Sequence, residues 1–290
     1  IARDGAETML PVAPGEFAGG RMSPDGTRMA LMVASVENID VWISDVTRGT
    51  LSRLTTSPGV DASPMWTLDG SGVVFTSKRS GEWALYRQSV DGRGDAEQLL
   101  EIPESAGLFP DSWTPDGTKL VFSYRLLDSS LDVGVLPIDS RDEWAPLLST
   151  PALERSGDIS PDGDWITYES NETGVPEVYV EQFPDLGLKT QISTGGGQSP
   201  QWSPDGDEIF YRRLDTGALM AVQIGSEPTL TVAAPMLITD EYYALRGPYS
   251  FGFGRMYDVF PDGERFLMFK ETQDTSHVIH VVLNAFLDLN

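Results

Sequence analysis

The chain contains no cysteine, which removes disulfides, thiolate metal sites and thiol nucleophiles together. Basic residues are scarce: 20 Lys and Arg face 44 Asp and Glu. Only four of the 20 are lysines (Lys78, Lys119, Lys189 and Lys270). The formal net charge of −24 sets up a field that repels phosphate backbones and anionic lipid, so neither nucleic acid nor a membrane surface is an expected partner. Histidine occurs twice, at His277 and His280. Three residues apart on a strand, the two point to opposite faces, which excludes side-by-side chelation and favours packing and solvation over catalysis. There is no Gly-x-Ser-x-Gly elbow and no calcium loop of spaced Asp, Asn, Gly and Glu. No apolar run approaches the roughly 18 residues of a membrane-spanning helix, so no membrane insertion of this piece is expected. Ile1 is not followed by a charged and apolar leader, as expected of a piece trimmed from a longer protein.

What is present is enough for a core. Apolar residues make up 40% of the 290 and charged residues 22%, the balance of a globular chain. All-β folds of this length form one unit, so residues 1–290 are expected to be a single domain. The acidity reads as a solubilising surface, suited to a salty habitat, or as an acidic docking surface.

One short phrase returns six times: Ser23-Pro24-Asp25-Gly26, Thr67-Leu68-Asp69-Gly70, Thr114-Pro115-Asp116-Gly117, Ser160-Pro161-Asp162-Gly163, Ser203-Pro204-Asp205-Gly206 and Phe260-Pro261-Asp262-Gly263. The aspartates are 44, 47, 46, 43 and 57 residues apart, a period that matches a four-stranded propeller blade. Proline presets φ at the second position of a type I turn, Asp suits the third, and Gly takes the left-handed conformation that follows. Three residues before each Asp stands a large or branched apolar side chain, Met22, Trp66, Trp113, Ile159, Trp202 or Val259, at the phase that blade-on-blade packing requires. An alternating strand follows each turn, as in Lys119-Leu120-Val121-Phe122. A third strand such as Val178-Tyr179-Val180 and a shorter polar fourth such as Lys189-Thr190-Gln191-Ile192 complete the unit. No segment shows sustained helical periodicity with caps. The sequence therefore predicts an all-β fold, a six-bladed β-propeller of four-stranded antiparallel blades. The last copy lacks a fourth strand, and Glu7-Thr8-Met9-Leu10 stands where it can supply one, closing the ring through the N-terminal strand.

These residues resemble the TolB-like, WD-repeat-like propellers of bacteria, whose blades share a Trp-Ser-Pro-Asp-Gly phrase; Trp202 to Gly206 and Trp113 to Gly117 match it best. A narrower resemblance runs through Glu177-Val178-Tyr179-Val180, Ser193-Thr194-Gly195-Gly196-Gly197, Ile209-Phe210-Tyr211-Arg212, Leu219-Met220-Ala221-Val222, Tyr257-Asp258-Val259 and Val281-Val282-Leu283-Asn284. It is similar to the propeller found C-terminal to bacterial eukaryotic-like serine/threonine kinases, and implies tethering to a kinase or other domain. No kinase motif is present in these residues. The resemblance also implies a periplasmic or extracytoplasmic location.

The innermost strands are expected to begin at the channel mouth with Asp61, Asp111, Arg155, Asp158, Gln198, Arg255 and Asp258. The long interval before the last turn brings Tyr242, Tyr243, Tyr249 and Phe251 to the same rim. Convergent polar groups beside aromatics make a binding mouth for a protein, peptide or small-molecule ligand, without catalysis and without a cofactor. The alternative is a calcium ion near Asp111, Asp158 and Asp258, serving a hydrolase of the lactonase or phosphotriesterase kind. The bland reading, carboxylates pairing with Arg155 and Arg255, and aromatics pinning a long loop, stays open beside both.

Overall fold

The recurring phrase folds as its residues dictate. In the first copy the Gly26 N–H donates to the Ser23 carbonyl at 2.8 Å and φ of Gly26 is 69°. The same four-residue bond closes at Gly70, Gly117, Gly163, Gly206 and Gly263. The Asp25 carboxylate accepts from the Ser23 hydroxyl at 2.5 Å and the Thr27 N–H at 3.0 Å, and the Ser23 hydroxyl accepts the Arg28 N–H at 2.9 Å. The turn thus satisfies its own polar groups. Proline has a second use: Cδ of Pro161 lies 3.3 Å from where a Cβ on Gly206 would stand. Pro115 meets Gly163 in the same way, as do Pro24 and Gly70, and Pro261 and Gly26. Each of these glycines leaves room for the proline of the preceding turn.

The structure is a computed structural model and describes residues 7–35, 38–225, 230–240, 243, 255–271 and 277–283. Strand β1 is Glu7–Met9. The first full sheet holds β2 (Phe17–Met22), β3 (Arg28–Ala34), β4 (Ile39–Asp45) and β5 (Leu51–Arg53), and the second β6 (Asp61–Trp66), β7 (Gly72–Ser77), β8 (Ala84–Ser89) and β9 (Glu97–Glu101). The third contains β10 (Ser105–Trp113), β11 (Lys119–Leu126), β12 (Leu131–Pro137) and β13 (Ala145–Leu148). The fourth contains β14 (Glu154–Ile159), β15 (Trp165–Ser170), β16 (Glu177–Gln182) and β17 (Lys189–Gln191). Next come β18 (Gly197–Trp202), β19 (Glu208–Arg213), β20 (Leu219–Gly225), β21 (Thr231–Val232) and β22 (Met236–Thr239). The last sheet holds β23 (Tyr257–Val259), β24 (Arg265–Glu271) and β25 (His277–Leu283), with β1 antiparallel to β25 in the register Glu7 to Val282.

The expected set of six four-stranded blades in one closed ring is corrected on two points. Among the described residues, only five sheets have four strands. The sheet begun by β18 has five, because β20 is long enough to pair with β22 along Leu219–Ala221 and with β21 at Ile224 and Gly225. In place of one closed ring, the chain resolves into two compact units. A split unit comprises residues 1–103 with 243–290, and a central unit comprises residues 104–242.

Within each unit the apolar anchors pack between neighbouring sheets. In the split unit Met22 joins Phe17, Met29, Leu31, Phe260, Leu267 and Phe269, while Trp66 joins Val41, Ile43, Val73, Phe75 and Tyr86. The indole of Trp66 also donates to the Arg21 carbonyl at 3.0 Å. In the central unit Trp202 packs with Trp165, Val178, Val180, Ile209 and Tyr211, and Ile159 with Val121, Val133, Ile166 and Tyr168. Trp113 and Val259 hold the same phase but are only half-buried.

Candidate functional site

The innermost strands carry the predicted polar residues, and most of these strands contain a bulge that sequence reading missed. Pairing slips between Phe17 and Gly20, Ala62 and Met65, Arg155 and Asp158, and Gln198 and Gln201. At three of these slips a serine sits in left-handed backbone: Ser63 at φ 50°, Ser156 at 59° and Ser199 at 54°. Each stands six residues before its turn Asp, where the first blade has Gly19. Small residues at that offset were the available signal. A bulge re-aims neighbouring groups, and in the central unit it turns backbone N–H groups toward the preceding sheet.

In the central unit those N–H groups find side chains. The Ser156 N–H donates to the Ser123 hydroxyl at 3.0 Å, and Ser123 donates in turn to the buried Asp111 carboxylate at 2.6 Å. One sheet further on, the Ser199 N–H approaches the Glu169 carboxylate at 3.4 Å. Arg155 grips the other oxygen of Glu169 with Nε at 2.9 Å and Nη2 at 2.7 Å. Glu169 is completely buried, so Arg155 neutralises a charge that cannot reach water. Asp158 accepts the Trp202 N–H at 2.8 Å. Ser112 does the same in the preceding sheet, accepting the Ile159 N–H at 3.3 Å and donating to the Gly157 carbonyl at 2.9 Å. Gln198 is buried in β18 opposite Arg212 of β19.

The split unit repeats the device. Asp258 accepts the Met22 N–H at 2.7 Å, as Asp158 accepts that of Trp202, and lies 3.5 Å from Nη1 of Arg21. Asp61 is fully buried and meets Nη2 of Arg79 at 3.1 Å through both oxygens. The Arg79 guanidinium stacks 4.7 Å from the Tyr86 ring centre and 5.1 Å from that of Phe75. Burial raises the Asp61 carboxyl above its ordinary value, against the opposing pull of the Ser77 hydroxyl and Arg79. The carbonyl of Arg255 accepts the Gly20 N–H at 3.3 Å. Tyr243 is buried; its hydroxyl donates to Glu7, and Lys270 reaches the same carboxylate at 3.2 Å. Tyr242, Tyr249 and Phe251 lie outside the described residues.

A second latch, also unread from the sequence, ties the third strand to the end of the fourth. The buried acids Asp40, Asp132 and Glu177 pair with the hydroxyls of Thr55, Ser149 and Ser193. Glu177 further accepts the Gly195 and Gly196 N–H groups at 2.8 and 3.0 Å. Burial, with Glu154 nearby, raises the Asp132 carboxyl. Among the described residues, no three of His, Cys, Asp and Glu converge as a metal would require. Asp111 and Asp158 of the expected cation set each spend an oxygen within the central unit, on Ser123 and on the Trp202 N–H. Chemically, the arrangement braces each sheet internally and, through the Ser123, Ser112, Glu169, Asp158 and Asp258 bonds, ties neighbouring sheets together.

Residues 4–102 match the family described as TolB beta propeller domain. An uncharacterised protein of Agrobacterium fabrum is 26% identical over 197 residues, which is 66% of this chain and 53% of that protein. The Tol-Pal system protein TolB of Wolinella succinogenes is 22% identical over 167 residues, 57% of this chain and 39% of that protein. The chain thus spans about half or less of the length of these curated relatives. Among solved structures, TolB from Acinetobacter baumannii superposes with a TM-score of 0.63 at 17% identity, covering 93% of this chain and 63% of that one. An oligogalacturonate lyase in complex with manganese superposes with a TM-score of 0.61 at 11% identity, covering 96% and 97%. At such identities the likeness is one of fold, and the fold of this chain is that of a TolB-like β-propeller.

Proposed function

We propose that the chain is a non-catalytic binding scaffold for a protein or peptide, engaged through the loops at the end where the innermost strands begin. One observation carries the reading. Asp61, Asp111, Arg155, Asp158 and Asp258, the groups with chemistry to offer at the inner strands, are engaged by neighbouring side chains or backbone N–H groups. Side chains committed in this way make a stiff frame and a poor acid, base or ligand set, since catalysis needs groups poised toward substrate. A frame with variable loops is how propellers present binding surfaces. Tethering to a kinase or other domain belongs to this proposal through the resemblance of residues 177–222, 257–259 and 281–284 alone. Thermal melts in excess calcium and in chelator test the reading. Coinciding curves support the scaffold, and a melt raised by calcium, with hydrolysis of a lactone or phosphotriester substrate, overturns it.

A further inference from the structure

Charge and exposed apolar surface are both concentrated in the central unit. Residues 104–242 hold 24 of the 44 acidic residues and only seven of the 20 basic ones. Of those seven, Arg155, Lys189 and Arg213 are ion-paired to Glu169, Glu172 and Asp215, and Arg212 is buried. The same unit carries Leu126, Leu127 and Val175, which are 38%, 67% and 46% exposed.

The loops that carry these side chains lie at one rim. The β11–β12 loop holds Leu127, with Leu126 ending β11 beside it, and the β15–β16 loop of the next sheet holds Val175. Both loops fasten to the connection between β13 and β14. Ser130 donates to the Ala152 carbonyl at 2.8 Å, and Asn171 accepts the Leu153 N–H at 2.8 Å through its side chain while donating its own N–H to the Leu153 carbonyl at 3.2 Å. The Leu127 N–H is held by the carbonyl of Glu104 at 3.2 Å, at the start of the innermost strand β10. Glu104 and Asp128 are exposed and flank the leucines, with one exposed base, Arg125, directly before Leu126. This is the end at which Ser105 pairs with Leu126, opposite the end that carries the Asp116 and Asp162 turns.

Resting on the scaffold reading, we propose that this rim docks a cationic amphipathic polypeptide segment, with apolar side chains covering Leu126, Leu127 and Val175 and Lys or Arg facing Glu104 and Asp128. Two features of the surface select that occupant. Exposed leucines on one loop and a valine on the adjacent one favour an apolar contact, and the excess of carboxylates in the central unit repels an acidic or phosphorylated partner while attracting a basic one. A wholly polar cation would satisfy the charge and leave the leucines in water.

The test uses a fluorescent synthetic helical peptide with leucine on one face and arginine on the other, and anisotropy titrations of the full chain at low and moderate salt. Leu127→Ser combined with Val175→Ser is expected to weaken binding by about tenfold. Leu186→Ser with Leu188→Ser, in the β16–β17 loop at the turn end, is expected to leave it within about twofold. These are exposed positions, and unchanged melts verify that each variant folds. The inference is overturned if an arginine peptide lacking leucine binds equally well, if the Leu186 and Leu188 pair causes the larger loss, or if the amphipathic peptide does not bind. A peptide that binds at the turn end sinks this site and leaves the scaffold reading standing. A calcium-dependent melt sinks the scaffold reading on its own terms.

Discussion

Replacing Arg155 by alanine separates a ligand-binding arginine from one that neutralises a buried carboxylate on the neighbouring strand of its own sheet. Its guanidinium makes two hydrogen bonds, at 2.9 and 2.7 Å, to one oxygen of Glu169, and the Glu169 side chain is completely shielded from water. Removing one member of a buried pair leaves the other charge uncompensated, at a cost of about 3 to 5 kcal/mol. The Arg155 side chain keeps about a fifth of its surface in water, and the Ser199 N–H still approaches the other Glu169 oxygen, so the lower end of that range applies. Urea unfolding followed by tryptophan fluorescence reads the change as a lower midpoint. With two compact units the transition is to be fitted unit by unit, and the loss belongs to the central one. Arg155→Ala combined with Glu169→Gln should recover some of the stability, because the stranded charge is gone. An Arg155→Ala variant within about 0.5 kcal/mol of the parent would refute the reasoning and make Arg155 a ligand-facing residue again.

Other outcomes follow from the same geometry. Trp202→Ala, in the buried cluster with Trp165 and Ile209, should cost about 3 to 5 kcal/mol in denaturant melts, and Trp113→Ala, only half-buried, should cost less. Asp25 and Asp69 are lowered to about 2, chiefly by the hydroxyls of Ser23 and Thr67, so their contribution is present above the unfolded carboxylate range near pH 4 and is lost as pH falls toward 2. Asp61 has the opposite sign, since its raised value favours the folded state below that range and the benefit fades as pH rises through it. Acid melts of Asp25→Asn against the parent should therefore differ at neutral pH and converge near pH 2. With a net charge of −24, added sodium chloride should raise the melting temperature of the whole chain by screening self-repulsion, and a flat salt response would contradict that.

The features of this molecule legible in its sequence are those whose physics is local. Ser160-Pro161-Asp162-Gly163 closes its own turn, so four adjacent letters suffice to place it. The same holds for the strand that follows, whose alternation puts Ile166 and Tyr168 into one core. The left-handed serines were not legible, because φ at Ser156 is set by a bulge whose reward, the bond to Ser123, lies 33 residues away. Asp158 illustrates the same limit: a carboxylate at the head of an inner strand reads as a ligand until Trp202 of the next sheet is seen to donate to it. The fifth strand of the sheet begun by β18 escaped notice because β22 lies inside the long interval before the last turn, which reads as loop. The aromatic stretch from residue 244 to 254 lies outside the described residues, and only Tyr243 beside it is placed, buried against Glu7 and Lys270.

The central claim is that inner-strand carboxylates knit neighbouring sheets, and amide hydrogen exchange at Trp202 measures it most directly. In the parent protein the Trp202 and Met22 amides, held by Asp158 and Asp258, should exchange slowly. Asp158→Ala should speed exchange at Trp202 while leaving Met22 protected. A Trp202 amide that exchanges quickly in the parent, or is untouched by Asp158→Ala, would contradict the account and leave Asp158 available for a ligand.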